Sequence, residues 1–380
     1  MDFELNEEQR AFREMALGFA AERLAPEAVA WDRASFFPND VVRSAGEFGL
    51  GGIYVREDVG GSGLKRLDAA IIFEALATGC PSIGAMLSIH NMCGWMIDSF
   101  GSEEQRQKWL PGLSSLELLG AYCLTEPGSG SDAAALKTRA TPAPSDDGWT
   151  MNGTKSFISG AGVANLYIVM ARTGEEGPRG ISAFLVEDGA PGLSFGANEH
   201  KMGWKAQPTA EVRFDDCRVP PNCLLGEPGK GFRYAMSGLD GGRINIAASS
   251  LGGAQAALDK AVAYAKDRRA FGRPIADLQS IQFKLADMET ELQAARTFLY
   301  QAASKLDARS DDATKYCAMA KRFVTDVAFR VANEALQIHG GYGYLADFGI
   351  EKIVRDLRVH QILEGTNEIM RVIVARQMLE

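Results

Sequence analysis

The sequence predicts an α+β fold in three consecutive segments, helical at both ends and β in the middle. Apolar residues recur at helical spacing near both ends of the chain, whereas the middle third contains short alternating or β-branched runs. Helices and strands do not alternate, which argues against a parallel doubly wound sheet. We therefore expect an N-terminal α-helical domain over 1–118, a middle antiparallel β domain over 119–230 and a C-terminal α-helical domain over 231–380.

The N-terminal segment begins with a helix signal. Asn6 is a suitable N-cap, and Gln9 follows three residues later, as in a capping box. Phe12, Met15 and Phe19 then follow at helical spacing. Helical patterns continue to about residue 118.

The middle segment contains the runs AYCLT, LYIVMA, ISAFLVE and AEVRF, which are typical of strands. The run WTMNGTKSFIS contains Asn152-Gly153, a dipeptide that favours a two-residue hairpin turn. TPAPSDDG, at 141–148, is typical of a surface loop. These features together predict antiparallel strands joined by short turns.

The C-terminal segment regains helical spacing after GEPGKGF at 226–232. Its clearest pattern is an apolar stripe with steps of four and three residues, which predicts a packed helix. The stripe consists of Ile281, Leu285, Met288, Leu292, Ala295 and Leu299.

Composition excludes several classes of protein. The 380 residues are 46% hydrophobic and 23% charged, as expected of a globular chain with large cores. A net charge of −9 and the lack of a Lys/Arg run argue against nucleic-acid binding. The six cysteines and four histidines lack metal-ligand spacing, so we expect free thiols and no metal site. No apolar stretch is long enough to span a bilayer, and the acidic N-terminus does not resemble a secretion signal.

Glu364 is the strongest candidate for a catalytic group. It lies in RVHQILEGTNEIMR (358–371), preceded by Ile362 and Leu363 and followed by Gly365. Burial among such neighbours would raise the carboxyl pKa above its usual value of roughly 4.3 and make the group a better base. The sequence therefore predicts a general base. A solvated glutamate at a helix end is the alternative on spacing alone.

A glycine-rich segment, AYCLTEPGSGSDAA at 121–134, matches the dinucleotide fingerprint GxGxxA at residues 128–133. Few helix-compatible residues remain before Pro142, too few for a crossover helix, so we interpret the match as coincidental. Backbone N–H groups and the Ser129 and Ser131 hydroxyls can still hold a phosphate or an acyl carrier in such a loop. A loop needed only for turning is the alternative.

Three more segments are unusual for purely structural sequence. LDGGRIN (239–245) places two glycines at the start of a helical tract, at a cost of roughly 1 kcal/mol per glycine, and QIHGGYGY (337–344) repeats the pattern. Such glycines are tolerated where a ligand or another backbone approaches closely. DRRAFGRPI (267–275) has three arginines that suit an anionic group, although arginines at helix ends are more often solvated.

Five segments, in this order, resemble the acyl-CoA dehydrogenase family over the whole chain: YCLTEPGSGSD, NGTKSFISGAG, DRRAFGRPI, QIHGGYGY and VRDLRVHQILEGTNE. The resemblance implies the same three domains, with a C-terminal four-helix domain. It also implies one FAD per subunit, a homotetramer built as a dimer of dimers, an acyl-CoA substrate and electron-transferring flavoprotein as electron acceptor.

FEALATGC, SIHNMC, WMIDSFG and LDGGRINIA are similar to family members that act on short branched acyl chains. This implies oxidation of isobutyryl-CoA to methacrylyl-CoA, a step of valine catabolism. The alternatives are a 2-methylbutyryl-CoA or short straight-chain dehydrogenase, because one methylene in an apolar pocket changes selectivity by only about 1–3 kcal/mol. An acyl-CoA oxidase and a non-enzymatic flavin-fold binding protein fit less well.

The resemblance also assigns site residues. Some family members place the catalytic glutamate at the position of Gly242, so Glu364 must serve as the base here. Positions implied to contact FAD are Tyr122, Cys123, Leu124, Thr125, Gly130, Ser131, Phe157, Ile158, Ser159, Arg268, Phe271, Gln279, Gln337, Ile338, His339, Gly340, Gly341, Thr366, Asn367 and Glu368. Positions implied to contact the substrate are Ser131, Asp240, Gly241, Gly242, Arg243 and Arg376.

Two further expectations follow from the resemblance. Gly241 and Gly242 lack side chains beside the acyl group, so we expect them to leave room for a methyl branch at the substrate α-carbon. We expect a cytoplasmic location for a bacterial chain and the mitochondrial matrix for a processed eukaryotic one.

Overall fold

The computed structural model describes residues 4–143 and 148–379, and it has the predicted order of helices, strands and helices. The N-terminal part consists of α-helices joined by short π or 3-10 turns and loops. These helices are α1 (Glu7–Phe19), α2 (Ala28–Ala34), α3 (Asn39–Ser44), α4 (Arg66–Gly79), α5 (Pro81–Phe100) and α6 (Glu103–Ser114).

The start of α1 confirms the predicted capping box. The Asn6 side chain accepts a hydrogen bond from the Gln9 backbone, and the Gln9 side chain accepts one from the Asn6 backbone. Phe19 at the other end is buried, and α1 packs against α4. The apolar face of α1 therefore lies against the helical core, as its spacing predicts.

The middle part is an eight-stranded sheet in the order β6-β7-β3-β2-β4-β5-β8, with β1 beside β4. Its strands are β1 (Gly120–Cys123), β2 (Arg139–Pro142), β3 (Trp149–Ser159), β4 (Leu166–Arg172), β5 (Ile181–Glu187), β6 (Leu193–Phe195), β7 (Thr209–Val219) and β8 (Leu224–Leu225). The expectation of a purely antiparallel sheet was wrong in one respect, since β4 pairs in parallel with β1 and with the first residue of β2. The long connection between β1 and β4 allows parallel pairing, which needs at least a dozen residues.

The predicted turn at Asn152-Gly153 was also wrong, because both residues lie inside β3. The Asn152 amide exchanges two hydrogen bonds with Asp216 of β7, and Gly153 has a φ of 147° beside an irregularity in the pairing. The dipeptide therefore forms a bulge, in which glycine supplies the unusual backbone geometry. The connection from β2 to β3 includes part of the predicted surface loop, whose residues 144–147 lie outside the described residues.

The C-terminal part is helical, and α7 is its centre, in contact with α4, α5, α8, α9 and α10. Its elements are α7 (Gly231–Asp267), a small hairpin of β9 (Arg269–Ala270) and β10 (Arg273–Pro274), α8 (Gln279–Asp307), α9 (Ala313–His339), α10 (Ile350–His360) and α11 (Asn367–Leu379). The described residues thus form five α-helices here instead of four. Left-handed backbone at Gly340, Gly349, Glu364 and Gly365 ends one helix before the next begins.

The stripe predicted along α8 faces inward, with Met288, Leu292 and Leu299 buried. The glycine-rich segment after β1 leads only into a 3-10 turn at Ala133–Ala135, so the interpretation as a loop without a crossover helix is confirmed. We propose the domain boundaries 118/119 and 230/231, since each falls between the last element of one part and the first of the next.

Within the described part of the chain, no helix has both the length and the apolarity needed to cross a membrane. The six cysteines are all buried as free thiols. The described residues also contain no group of three or more His, Cys, Asp or Glu side chains arranged to hold a metal ion.

Candidate active site

Glu364 lies in the short connection between α10 and α11. Its φ of 56° places a non-glycine residue in the left-handed region, and Gly365 follows with a φ of 87°. Hydrogen bonds from Leu363 N to Val359 O and from Asn367 N to Gln361 O close the connection on both sides. A strained residue that is held in this way is typical of a functional position.

The Glu364 carboxylate lies directly over Gly242, in the first third of α7. A Cβ atom added to Gly242 would lie 2.5 Å from Oε2 and 3.0 Å from Cδ of Glu364. Glycine is therefore required for the carboxylate to occupy this position. The family resemblance gives Gly242 and Glu364 as alternative positions of the catalytic glutamate. Packing of the α10–α11 connection against α7 brings these two positions together.

This contact corrects the expectation for the glycine pair. The space over Gly242 is filled by the carboxylate, and a Cβ on Gly241 would overlap the Arg66 guanidinium. Neither glycine leaves room for a methyl branch at its own Cβ position. The glycines also lie well inside α7 instead of at the start of a helix, because the helix already begins at Gly231.

Burial raises the pKa of Glu364 to about 7, in the predicted direction, while the positive charges of Arg243 and Lys321 oppose the rise. The atom Oε2 is buried without a hydrogen-bond partner among the described residues. A carboxylate with a pKa near 7 and a free oxygen is suited to accept a proton near neutral pH.

Lys321, on α9, was missed by the sequence reasoning. Its side chain is fully buried, and Nζ donates to the Gly365 carbonyl at 2.8 Å and to Asn367 Oδ1 at 2.9 Å. Burial lowers the pKa of Lys321 to about 7, and the nearby Glu364 carboxylate opposes that change. The sequence carried one signal for Lys321, because this lysine lies within the apolar stripe of a helix. Lysine is almost never fully buried without a partner, so such a position indicates a buried partner.

Two other buried polar atoms near Glu364 lack partners among the described residues: Tyr122 Oη and Arg243 Nε. Burial and the Glu364 charge hold the pKa of Tyr122 well above its usual value. Arg243 is fixed by an ion pair with Asp240 at 2.6 Å, and Asp240 also accepts from Thr314. Buried polar atoms without partners indicate a place where a bound ligand completes the hydrogen bonding.

A second group of predicted residues meets at the loop after β1 and the end of β3. Ser156 N donates to Thr125 O at 2.8 Å, which joins the two segments. A buried ion pair between Lys155 and Glu126, at 2.7 Å, fixes the start of the loop to β3. Phe157 has a φ of 60° and is 66% exposed, whereas Ile158 is buried. Cys123 and Leu124 are buried, while Gly130 and Ser131 are exposed.

A third group surrounds a cavity of about 440 Å³ beyond the end of α7. The Arg268 guanidinium lies 5.5 Å from the centre of the Tyr342 ring, and His339 stacks on Tyr264. The predicted residues that line this cavity are Arg268, Ile338, His339, Gly340 and Gly341. Gln279 and Gln337 are exposed on the neighbouring helices, and Phe271, at the tip of the β9–β10 hairpin, is 91% exposed.

The predicted residues in α11, and Thr366 directly before it, differ in their surroundings. The Asn367 amide is used within the protein: it accepts from Lys321 and donates to Thr325 and Asp326. Its side chain therefore anchors the α10–α11 connection. Thr366 is half-buried, whereas Glu368 and Arg376 are exposed.

Family models match nearly the whole chain. The acyl-CoA dehydrogenase N-terminal domain matches residues 6–117, the middle domain 121–217 and the C-terminal domain 229–379. The chain therefore belongs to the acyl-CoA dehydrogenase family, and it is an oxidoreductase of that kind. A relative from Bos taurus named isobutyryl-CoA dehydrogenase, mitochondrial, is 54% identical over 99% of this chain and 90% of its own length.

Solved structures share the fold. Butyryl-CoA dehydrogenase from Megasphaera elsdenii superposes with a TM-score of 0.97 and 41% identity, and covers 100% of both chains. The structure titled PigA with FAD and proline superposes with a TM-score of 0.95 and 31% identity, over 100% of this chain and 99% of that one.

Proposed function

We propose that the protein is an FAD-dependent dehydrogenase that desaturates isobutyryl-CoA between its α- and β-carbons to give methacrylyl-CoA, with Glu364 as the base. The coarser activity, dehydrogenation of a short-chain acyl-CoA, follows from the family and from its relatives. The 54% identity to the bovine isobutyryl-CoA dehydrogenase supports the branched substrate. The corresponding physiological role is a step in valine breakdown.

The observation that carries the proposal is the Glu364 carboxylate, which is buried over Gly242 with a pKa of about 7 and an unpartnered Oε2. This oxygen accepts the α-proton of the substrate. The Glu364 backbone N–H has no hydrogen-bond acceptor in the described part of the chain, so it is free to donate to the thioester carbonyl. Such a donor stabilises the negative charge that develops on that oxygen as the proton leaves.

Bound FAD would supply the redox chemistry, as the acceptor of the hydride that leaves the β-carbon of the substrate. The chain's own groups bind and orient the reactants. Thr125, Phe157 and Ser159 lie on adjoining segments of the middle domain, where the family resemblance positions the flavin ring. The unpartnered Tyr122 Oη and Arg243 Nε fit a polar ligand beside the base.

The third group of residues supports an oligomer in which subunits share cofactors, and the family resemblance implies that this oligomer is a homotetramer. Arg268 follows the last residue of α7, about 25 residues beyond Gly242, which corresponds to roughly 38 Å of helix. One dinucleotide does not reach across that distance. The Arg268–Gly341 cavity therefore serves a cofactor whose flavin lies in another copy of the chain.

The family resemblance further supports electron-transferring flavoprotein as the electron acceptor. The bovine relative is named as mitochondrial, and for a eukaryotic source we propose the mitochondrial matrix. For a bacterial source the proposed location is the cytoplasm.

The direct test of the base is Glu364→Gln, assayed with isobutyryl-CoA and an artificial electron acceptor. The variant should keep its yellow FAD and bind acyl-CoA, but lose at least about 10²-fold in turnover, as expected for a general base. Glu176→Gln, at an exposed position between β4 and β5, is the matched control and should retain full activity. Near-normal turnover of Glu364→Gln would refute the assignment.

The substrate is tested by kcat/KM for isobutyryl-, 2-methylbutyryl-, butyryl- and valeryl-CoA. The proposal expects the highest value for isobutyryl-CoA. A higher value for 2-methylbutyryl-CoA or for a linear substrate would assign the protein to the corresponding alternative. Equal rates with oxygen and with the artificial acceptor would indicate an oxidase.

A further inference from the structure

A small apolar cluster is separate from the two large cores of the protein. Its buried members are Ala85 of α5, Trp204 from the loop before β7 and Ile246 of α7, and Leu363 packs against them. Ile89 and Val359 complete the contacts. We call this set the Trp204 cluster.

The Trp204 cluster adjoins the proposed base on two sides. Leu363 directly precedes Glu364 in the chain. Ile246 lies one helical turn after Gly242, so the two residues share a face of α7, about 6 Å apart along the helix axis. Gly242 is the residue over which the carboxylate lies. An acyl chain whose α-carbon is at the carboxylate and whose tail follows this face of α7 therefore meets the Trp204 cluster.

The Trp204 indole is held in place by hydrogen bonds. Nε1 donates to His360 Nε2 at 3.0 Å, and the His360 ring packs edge-on against the indole. His360 Nδ1 is 2.7 Å from Ser250 Oγ, whose hydroxyl donates to the Ile246 carbonyl. The ring therefore carries its proton on Nδ1 and donates it to Ser250, which leaves Nε2 free to accept from Trp204. Burial, together with the Lys321 charge, lowers the pKa of His360 to about 3, so the ring stays neutral.

The backbone of Trp204 is also fixed. Its N–H donates to Asp356 Oδ1 at 2.6 Å, and Asp356 accepts from the buried Lys352 at 2.6 Å. Gly203 packs so closely on α10 that a Cβ there would overlap the Arg355 carbonyl. The indole can therefore move away only if several buried hydrogen bonds break, which is unfavourable because the buried donors and acceptors would lose their partners.

We propose that Trp204 is a specificity-determining residue, which closes the acyl pocket one helical turn beyond the base and restricts the enzyme to short acyl chains. This inference rests on the proposed function, because it assumes that the acyl group lies against Glu364. His360 and Ser250 act as positioning residues that hold the indole against Ile246.

The test compares Trp204→Leu with wild-type enzyme, using the ratio of kcat/KM for hexanoyl-CoA to that for isobutyryl-CoA. The smaller side chain opens the end of the pocket, and each methylene accommodated is worth about 10-fold or more. The ratio should therefore rise by at least about 10-fold. Because it is measured within one preparation, the ratio does not depend on the folded fraction.

Trp149→Leu is the matched control. Trp149 packs edge-on against Phe184 in the middle domain, away from the Trp204 cluster, so its loss should leave the ratio unchanged. An unchanged ratio in Trp204→Leu, or an equal rise in both variants, would overturn the inference.

If Trp204→Leu does not fold, Trp204→Phe provides the measurement. This substitution removes the indole N–H and part of the ring but keeps an aromatic side chain, and it should raise the ratio by about 3-fold. The same ratio as wild type would overturn the inference. Failure of the proposed function gives a different result, which is read from the wild-type enzyme alone: it would then lack activity with isobutyryl-CoA or prefer another acyl-CoA before any change at Trp204.

Discussion

Two positions along α7, Gly242 in its first third and Arg268 directly after its end, mark sites of very different character. At Gly242, the Glu364 carboxylate is buried against α7, and Lys321 of α9 and Asn367 of α11 anchor the connection that carries it. At Arg268, a cavity of about 440 Å³ has the exposed residues Gly340 and Gly341 in its lining. The first site is formed by residues of one chain, whereas we propose that the second holds a cofactor shared with another copy of the chain. We therefore propose that residues of one subunit organise catalysis. Contacts between subunits then retain the cofactor.

The largest effect is expected from a substitution at Gly242, where α7 contacts the base. Gly242→Ala places a Cβ within 2.5 Å of Glu364 Oε2 and so displaces the base. A shift of about 1 Å at a reacting group costs on the order of 10²-fold. We expect kcat/KM to fall by about that factor for isobutyryl-CoA and butyryl-CoA alike.

Gly18→Ala in α1 is the control for this prediction, because a Cβ there contacts nothing within 4 Å. It should leave both kcat/KM values intact. A selective loss for isobutyryl-CoA in Gly242→Ala would instead restore the idea that this glycine accommodates the methyl branch.

The next largest effect concerns the anchor of the Glu364 connection. Lys321→Met removes the hydrogen bonds to Gly365 O and Asn367 Oδ1 together with a positive charge near the carboxylate. Without that charge the pKa of Glu364 rises further, so less of the base is ionised at neutral pH. We expect kcat/KM at pH 7 to fall by about 10-fold and the acidic limb of the pH profile to move to higher pH.

Lys260→Met, at an exposed position of α7, is the control for Lys321→Met and should leave the pH profile unchanged. Loss of rate in Lys321→Met without movement of the acidic limb would mean that Lys321 acts on structure alone.

The pH dependence of kcat/KM in the wild-type enzyme tests the same site, and a smaller effect is expected there. The base works only when it is deprotonated, and the pKa of Glu364 is about 7. The plot of kcat/KM against pH should therefore rise through about pH 7 and level off above it, since kcat/KM reports ionisations of the free enzyme. A plateau that extends down to pH 5 would contradict a buried base with a raised pKa.

The smallest effect on the chemical step is expected at Arg268, directly after the end of α7. Arg268→Ala removes a cation from the cavity while Glu364 and its neighbours stay in place. FAD occupancy and tetramer stability should fall together, and activity per bound FAD should change by less than about 3-fold. The measurements are flavin absorbance and gel filtration, with Arg218→Ala on β7 as the control. Unchanged flavin content would remove the argument for a shared cofactor site.

Local features of the structure could be predicted because neighbouring residues cause them. The Asn6–Gln9 capping box and the inward stripe of α8 depend on contacts within three or four residues, which the sequence displays directly. Asn152-Gly153 shows where such reasoning fails. The pair has the composition of a turn, but hydrogen bonds to Asp216, 64 positions away, keep it within a strand.

The sequence by itself determined the three-part architecture and directed attention to Glu364, since periodicity and apolar flanks are properties of short segments. Only the tertiary structure decided what surrounds that carboxylate. Lys321 lies 43 positions earlier in the chain and Gly242 lies 122 positions earlier, yet both meet the same connection between α10 and α11. Trp204 likewise meets His360 across 156 positions. Such contacts arise from the packing of whole helices, and the pKa of the base depends on the burial and charges which that packing brings together.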